Sequence, residues 1–167
     1  SIATLLAALT LIKDYLHAYY PELDTAAFRD IINCPVVTFN PGSILLKSGG
    51  GNDYFYLSLS GTVEVIDNKK HITQLLSAGS MIGEMSALLN EVRQKTYVAL
   101  NYVSAIKISG NMYRNFVDKY NLIESIKKSR ENRSFLSNMW LFRDVSSSPV
   151  VNQISQTMIV KTLDKGK

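Results

Sequence analysis

Apolar positions change period twice along this chain. In residues 2–20, Leu5, Leu6, Leu9, Ile12, Leu16 and Tyr20 recur at helical spacing, and Pro21 stops the pattern. Residues 25–33 predict a second helix, with Asp24 or Thr25 able to cap it, Phe28, Ile31 and Ile32 as its buried side, and Pro35 beyond its end. From Val36 the period falls to two. Strands are predicted over residues 36–39, 44–47, 54–60, 62–66, 71–76, 96–100 and 104–108, punctuated by Asn40-Pro41-Gly42, Asp67-Asn68-Lys69-Lys70 and Asn101-Tyr102. Phe55, Leu57 and Leu59 face one side, and Val63 and Val65 take up the same pattern after Gly61. Many short strands at regular spacing predict a sandwich or barrel. The helical period then returns. Met112, Phe116, Tyr120, Ile123 and Ile126 form one stripe of a helix over residues 111–133, with Lys127, Lys128, Arg130 and Arg133 on its wet side. A last helix is expected after Ser146, with Pro149 in its first turn and Val150, Val151, Ile154 and Met158 along it.

Composition narrows the function classes. The 167 residues are 46% hydrophobic and 19% charged, ordinary globular proportions for one full domain plus an appendage. The net charge of +4 is uneven: residues 1–106 carry 7 basic and 9 acidic side chains, residues 107–167 carry 11 and 5. A solvated helix face accounts for the basic end, since neither clustered aromatics nor a nucleic-acid module accompanies it; no nucleic-acid partner is expected. Residues 2–12 form the longest apolar run, too short to span a bilayer and without the basic leader of a signal peptide, so no membrane span is expected. Cys34 is the single cysteine, which excludes an internal disulfide and accords with a reducing, cytoplasmic setting. With only His17 and His71 beside it, no metal-ligand cluster is visible. No nucleophile–base pair or carboxylate dyad stands out either, so the chain is not expected to be an enzyme.

Residues 77–99 carry the chemistry. A glycine turn leads into Gly83-Glu84, then a short apolar helical turn through Ala87-Leu88-Leu89, then Arg93 and the β-favouring run Thr96-Tyr97-Val98-Ala99. The first N–H groups of a helical turn suit an anion, and a guanidinium fork matches two phosphate oxygens. A carboxylate beside the same turn cannot favour phosphate, but it accepts from sugar hydroxyls. The order suggests a pocket for a phosphorylated sugar. Ser48-Gly49-Gly50-Gly51-Asn52-Asp53, flanked by strands, is expected to be a tight loop that lets backbone approach closely.

Gly83-Glu84-Met85-Ser86, Arg93 nine residues after Glu84, and Thr96 three further on resemble the phosphate-binding cassette of cyclic nucleotide-binding domains. Phe39-Asn40-Pro41-Gly42, residues 51–57 and residues 60–65 follow in that family's order, so the resemblance runs roughly from Phe28 to Tyr120. It implies an eight-stranded jelly-roll barrel with N-terminal helices and a C-terminal helical tail. By carry-over, Arg93 pairs with a cyclic phosphate and Glu84 accepts from the ribose 2′-hydroxyl. Gly83 and the backbone near Ser86 and Ala87 complete those contacts, and Met85, Gln94, Lys95 and Thr96 belong to the same ligand-binding set. Ile82 replaces a frequent aromatic, Val92 a frequent proline, and Gln94 and Lys95 replace frequent small residues. In that family a small residue after the arginine leaves room for the base and a hydroxyl is associated with guanine; Gln94 fits neither habit. Of the two ligands, cAMP is expected over cGMP. Tyr113, Phe116, Phe135 and Trp140 are candidates to stack on the base, with core packing as their alternative role.

The expected organisation is a packing helix over residues 1–23, the cyclic nucleotide-binding domain over 24–133, and a helical tail over 134–167. Thr162-Leu163-Asp164-Lys165-Gly166 echoes residues 38–42, and Phe135-Leu136 through Gly166 resembles the opening of a second such domain in a longer protein. That tandem arrangement resembles protein kinase A regulatory subunits. The expected function is ligand-controlled regulation of an attached effector or second domain. A barrel without nucleotide that serves as a protein-interaction module is the alternative, with the apolar first helix as its contact. A DNA-binding regulator of the catabolite activator type would need a helix-turn-helix after Trp140.

Overall fold

A computed structural model describes residues 2–137; the tail and second-domain opening are expected over residues 134–167, and all of that stretch after residue 137, with the last helix, lies outside the described residues. The chain begins with α1 (Ile2–Tyr19), a 3-10 turn (Thr25–Phe28) and α2 (Arg29–Ile32), then eight strands interrupted by one short helix. Asp24 caps the 3-10 turn, its Oδ1 accepting from the Ala27 N–H at 3.2 Å. The strands are β1 (Val36–Phe39), β2 (Ile44–Leu46), β3 (Tyr54–Ser60), β4 (Val63–Ile66), β5 (Ile72–Leu76), β6 (Met81–Ile82), β7 (Thr96–Ala99) and β8 (Val103–Ser109), with α3 (Glu84–Leu89) between β6 and β7. Two helices close the described chain, α4 (Gly110–Lys119) and α5 (Ile123–Ser137).

Eight strands are present, as expected, but they form a sandwich of two four-stranded antiparallel sheets instead of a closed barrel. The strand orders are β1-β8-β3-β6 and β2-β7-β4-β5. Closure would need ladders between β1 and β2 and between β5 and β6. The turn at residues 40–43 carries the chain from one sheet to the other, and β6 is only two residues long. The same partition corrects the expected common face of β3 and β4. Phe55, Leu57 and Leu59 pack outward under the helices, together with Ile106 and Ile108. Val63 and Val65 pack between the sheets with Tyr56, Leu45, Leu46 and Ile82. β3 is thus buried on both faces.

The helices cover the outer face of the first sheet. Ile12, Leu16, Tyr19 and Tyr20 join Phe28, Ile31, Tyr113, Phe116 and Ile126 in that core, each large apolar side chain contributing about 1.5–3 kcal/mol on burial. The other end of α1 is open, with Ile2 79% exposed and Leu5 and Leu6 also exposed. The single helix expected over residues 111–133 is divided. Asn121 adopts a left-handed conformation (φ 57°), and the Leu122 N–H turns back to the Val117 carbonyl at 2.9 Å, which stops α4 before α5 starts. No helix among the described residues is long and apolar enough to cross a membrane.

Candidate functional site

The site is built on the strand–turn–helix unit from β6 to β7. Gly83 precedes α3 in a left-handed conformation (φ 82°), with the Leu46 side chain filling the space a Cβ would take. α3 lasts six residues and ends at Asn90, also left-handed. Met85 packs half-buried against the helix-side core and Ala87 is fully buried in it, so both serve α3 by packing. The Ala87 N–H donates to the Gly83 carbonyl at 3.2 Å, and the Ala87 carbonyl accepts from Arg114 Nη1 at 2.6 Å. The Ser86 carbonyl accepts from the Glu91 N–H at 3.0 Å and from Asn52 Nδ2 at 3.3 Å.

The glycine-rich loop is stitched onto this unit. Gly49 N–H donates to the Arg93 carbonyl at 2.8 Å, Ser48 N–H to Thr96 Oγ1 at 3.1 Å, and Asn52 Nδ2 reaches the Glu91 carbonyl at 3.0 Å. Gly50 lies against the arginine: a Cβ there would stand 3.4 Å from Arg93 Nη1. Thr96 therefore holds the loop by its hydroxyl. Gln94 and Lys95 are exposed, and Gln94 Nε2 turns back to the Val92 carbonyl at 3.4 Å.

Arg93 is only 6% exposed. Its Nε is buried without a hydrogen-bond partner, and no carboxylate among the described residues pairs with the guanidinium. Burying an unpaired cation costs several kcal/mol. Its neighbours are phenols. Burial pushes Tyr56 up to about 12, with further upward pushes from Tyr54, while the positive charge of Arg93 acts the other way; Tyr97 is likewise raised by burial and opposed by Arg93. These two tyrosines escaped the sequence reading, because inward positions of a strand carry no sign of which charge they face.

Glu84, 5% exposed, has the opposite surroundings. Its Oε2 accepts from Tyr113 Oη at 2.5 Å and lies 3.4 Å from Tyr20 Oη, and the two phenol oxygens are themselves bonded. Burial, then the Glu84 charge, raise the Tyr113 hydroxyl well above its ordinary range, so it stays protonated as a donor. Tyr113 and Phe116, two of the candidates for stacking on a base, take the alternative role of core packing: Tyr113 packs on Phe55, and the two rings pack on each other. Trp140 lies outside the described residues. A cavity of about 590 Å3 opens elsewhere, between α2 and α4, lined in part by Arg29, Asp30, Met112, Asn115, Phe116 and Tyr120; no cassette residue lines it. No group of metal-ligating side chains occurs among the described residues.

A turn with a buried carboxylate at one end and a buried, unpaired guanidinium at the other coincides with a family pattern. Residues 36–120 match the model of the cyclic nucleotide-binding domain. The chain belongs to that family. A cGMP-dependent protein kinase of Eimeria tenella is 27% identical over 163 residues, covering 95% of this chain and 16% of that protein. The cGMP-dependent protein kinase of Toxoplasma gondii is 27% identical over 131 residues, 78% of this chain and 13% of that protein. The chain thus spans less than a fifth of the length of these curated relatives.

Among solved structures, cAMP-bound PfPKA-R superposes with a TM-score of 0.66 at 20% identity, covering 90% of this chain and 54% of that one. The regulatory domain of Toxoplasma gondii PKA with cAMP gives 0.63 at 15% identity, covering 89% and 57%. The regulatory subunit of a cAMP-independent protein kinase A from Trypanosoma brucei gives 0.61 at 21% identity, covering 77% and 45%. These likenesses establish the cyclic nucleotide-binding fold.

Proposed function

We propose that this domain is a regulatory receptor for a cyclic nucleoside monophosphate and not a catalyst. Arg93 pairs with the ring phosphate, and Glu84 accepts from the ribose 2′-hydroxyl. Gly83, Met85, Ser86 and Ala87 shape the turn beneath the ligand, and Gln94, Lys95 and Thr96 flank it. The observation that carries this reading is the buried guanidinium with an unpartnered Nε and no ion-pairing carboxylate among the described residues. A bidentate phosphate supplies what such a group lacks. The resemblance of residues 83–96 to the family's cassette and the match over residues 36–120 support it further.

We favour cAMP over cGMP, because neither Gln94 nor Lys95 offers a hydroxyl after the arginine. The relatives are named for cGMP and several solved neighbours hold cAMP, so both ligands belong in the test. Ligand affinity that differs between two arrangements of α4 and α5 would bias an effector, a kinase or a second domain in a longer cytoplasmic protein. The test is calorimetric titration of wild type and Arg93→Ala with each nucleotide. Each hydrogen bond to a charged group is worth about 1.5–3 kcal/mol, so losing a bidentate pair lowers affinity at least about a hundredfold. Equal, negligible binding by both proteins overturns this reading and leaves the protein-interaction module.

A further inference from the structure

The cassette reading explains a carboxylate at position 84 but not why two tyrosines from distant helices converge on it. Tyr20 directly follows α1 and Tyr113 lies in α4. Both are buried, and Tyr113 is completely so. Among the described residues, both phenol contacts to the Glu84 carboxylate fall on Oε2. Oε1 has no partner among the described residues and is not among the fully buried atoms that lack one, so it keeps some contact with solvent. An ionised carboxylate accepts at both oxygens. Two hydroxyl protons serve this cluster without conflict when Tyr20 donates to Tyr113 and Tyr113 donates to Glu84.

We propose that Tyr113, with Tyr20 behind it, is a positioning residue for ribose recognition: it fixes Oε2 from inside, so that Oε1 is presented to the 2′-hydroxyl of the ligand. This rests on the cyclic nucleotide reading above. A free Glu84 at the start of α3 would sample several rotamers, and ordering it on binding would cost affinity. The tyrosine pair orders it beforehand. It also makes the presentation of that oxygen depend on how α1 and α4 sit against α3, so the helices sense the sugar end of the ligand through one hydrogen-bonded chain.

The experiment titrates the 167-residue chain by calorimetry with cAMP and 2′-deoxy-cAMP, and in parallel with cGMP and 2′-deoxy-cGMP. Wild type is expected to prefer the ribonucleotide by about ten- to a hundredfold, the loss of one hydrogen bond to a charged acceptor. Tyr113→Phe is expected to shrink that preference below about threefold while its affinity for the deoxy ligand stays within about twofold of wild type. A merely structural tyrosine would weaken both ligands alike. Tyr113→Phe with the full wild-type preference, or with both ligands weakened equally, overturns the proposal. If that variant does not fold, Tyr20→Phe decides, with a partial loss of preference expected and an unchanged preference overturning it. A wild type that binds both ligands equally also overturns it. A wild type that binds none of the four overturns the cyclic nucleotide reading itself, and is recognised as such before any variant is made.

Discussion

The two ends of the cassette are both buried and both charged, yet they are built in opposite ways. Glu84 is held by hydroxyls that belong to α1's end and α4, far away in sequence. Arg93 is wrapped by the backbone of a loop, faces phenols it does not bond, and keeps its Nε without a partner. A buried charge with internal partners is part of the fold. One without them is a cost to the fold, which a bound phosphate would offset on the proposed reading. The contrast separates a charge whose fixed geometry the fold supplies from one whose partner the fold does not supply.

The contrast makes a prediction of opposite signs. In ligand-free protein, Glu84→Ala removes the charged acceptor from the buried tyrosine pair and leaves one of its two hydroxyl protons without that partner, and is expected to destabilise by about 2–3 kcal/mol. Arg93→Met keeps the volume, removes an unpaired cation, and is expected to be neutral to about 2 kcal/mol stabilising. Urea unfolding midpoints check both. Equal losses in the two variants would break the comparison.

A smaller effect sharpens it. Tyr113 titrates above its ordinary value of 10.0 in the folded protein, so the neutral phenol is favoured by folding. Its contribution is fully present below pH 10 and is lost as pH rises beyond it. Wild type is therefore expected to lose about 1 kcal/mol more stability than Tyr113→Phe between pH 9 and pH 11. The raised phenols common to both proteins, Tyr15, Tyr56 and Tyr97, cancel in that difference. Parallel declines would show that the Glu84 cluster is not the group being titrated.

Much of this was legible along the chain, for identifiable reasons. α1, β1 and β3 have bounds close to those expected, because their side chains follow one period and glycine or proline punctuates them, while α3 starts three residues before the expected turn. The cassette residues came from the resemblance of residues 83–96 to a family motif, carried over position by position, and spacing alone would not have singled them out. β6 was missed because two residues cannot display a period. The break at Asn121 was missed because an asparagine inside an apolar stripe looks helical until its φ is known. Tyr56 and Ser58 alternate as outward positions on paper, yet β3 is covered on both faces. The tyrosines on Glu84 leave no local trace at all. Tyr113 lies 29 residues from the carboxylate and Tyr20 lies 64, and only the packing of α1 and α4 over the first sheet brings them together.

The most direct test of the account is a crystal structure of this chain grown with cAMP or cGMP. The account predicts oxygens of the cyclic phosphate within hydrogen-bond distance, about 2.7–3.2 Å, of the Arg93 guanidinium, with that side chain still buried beside Gly50. A nucleotide seated instead in the cavity between α2 and α4, with Arg93 untouched, would contradict it.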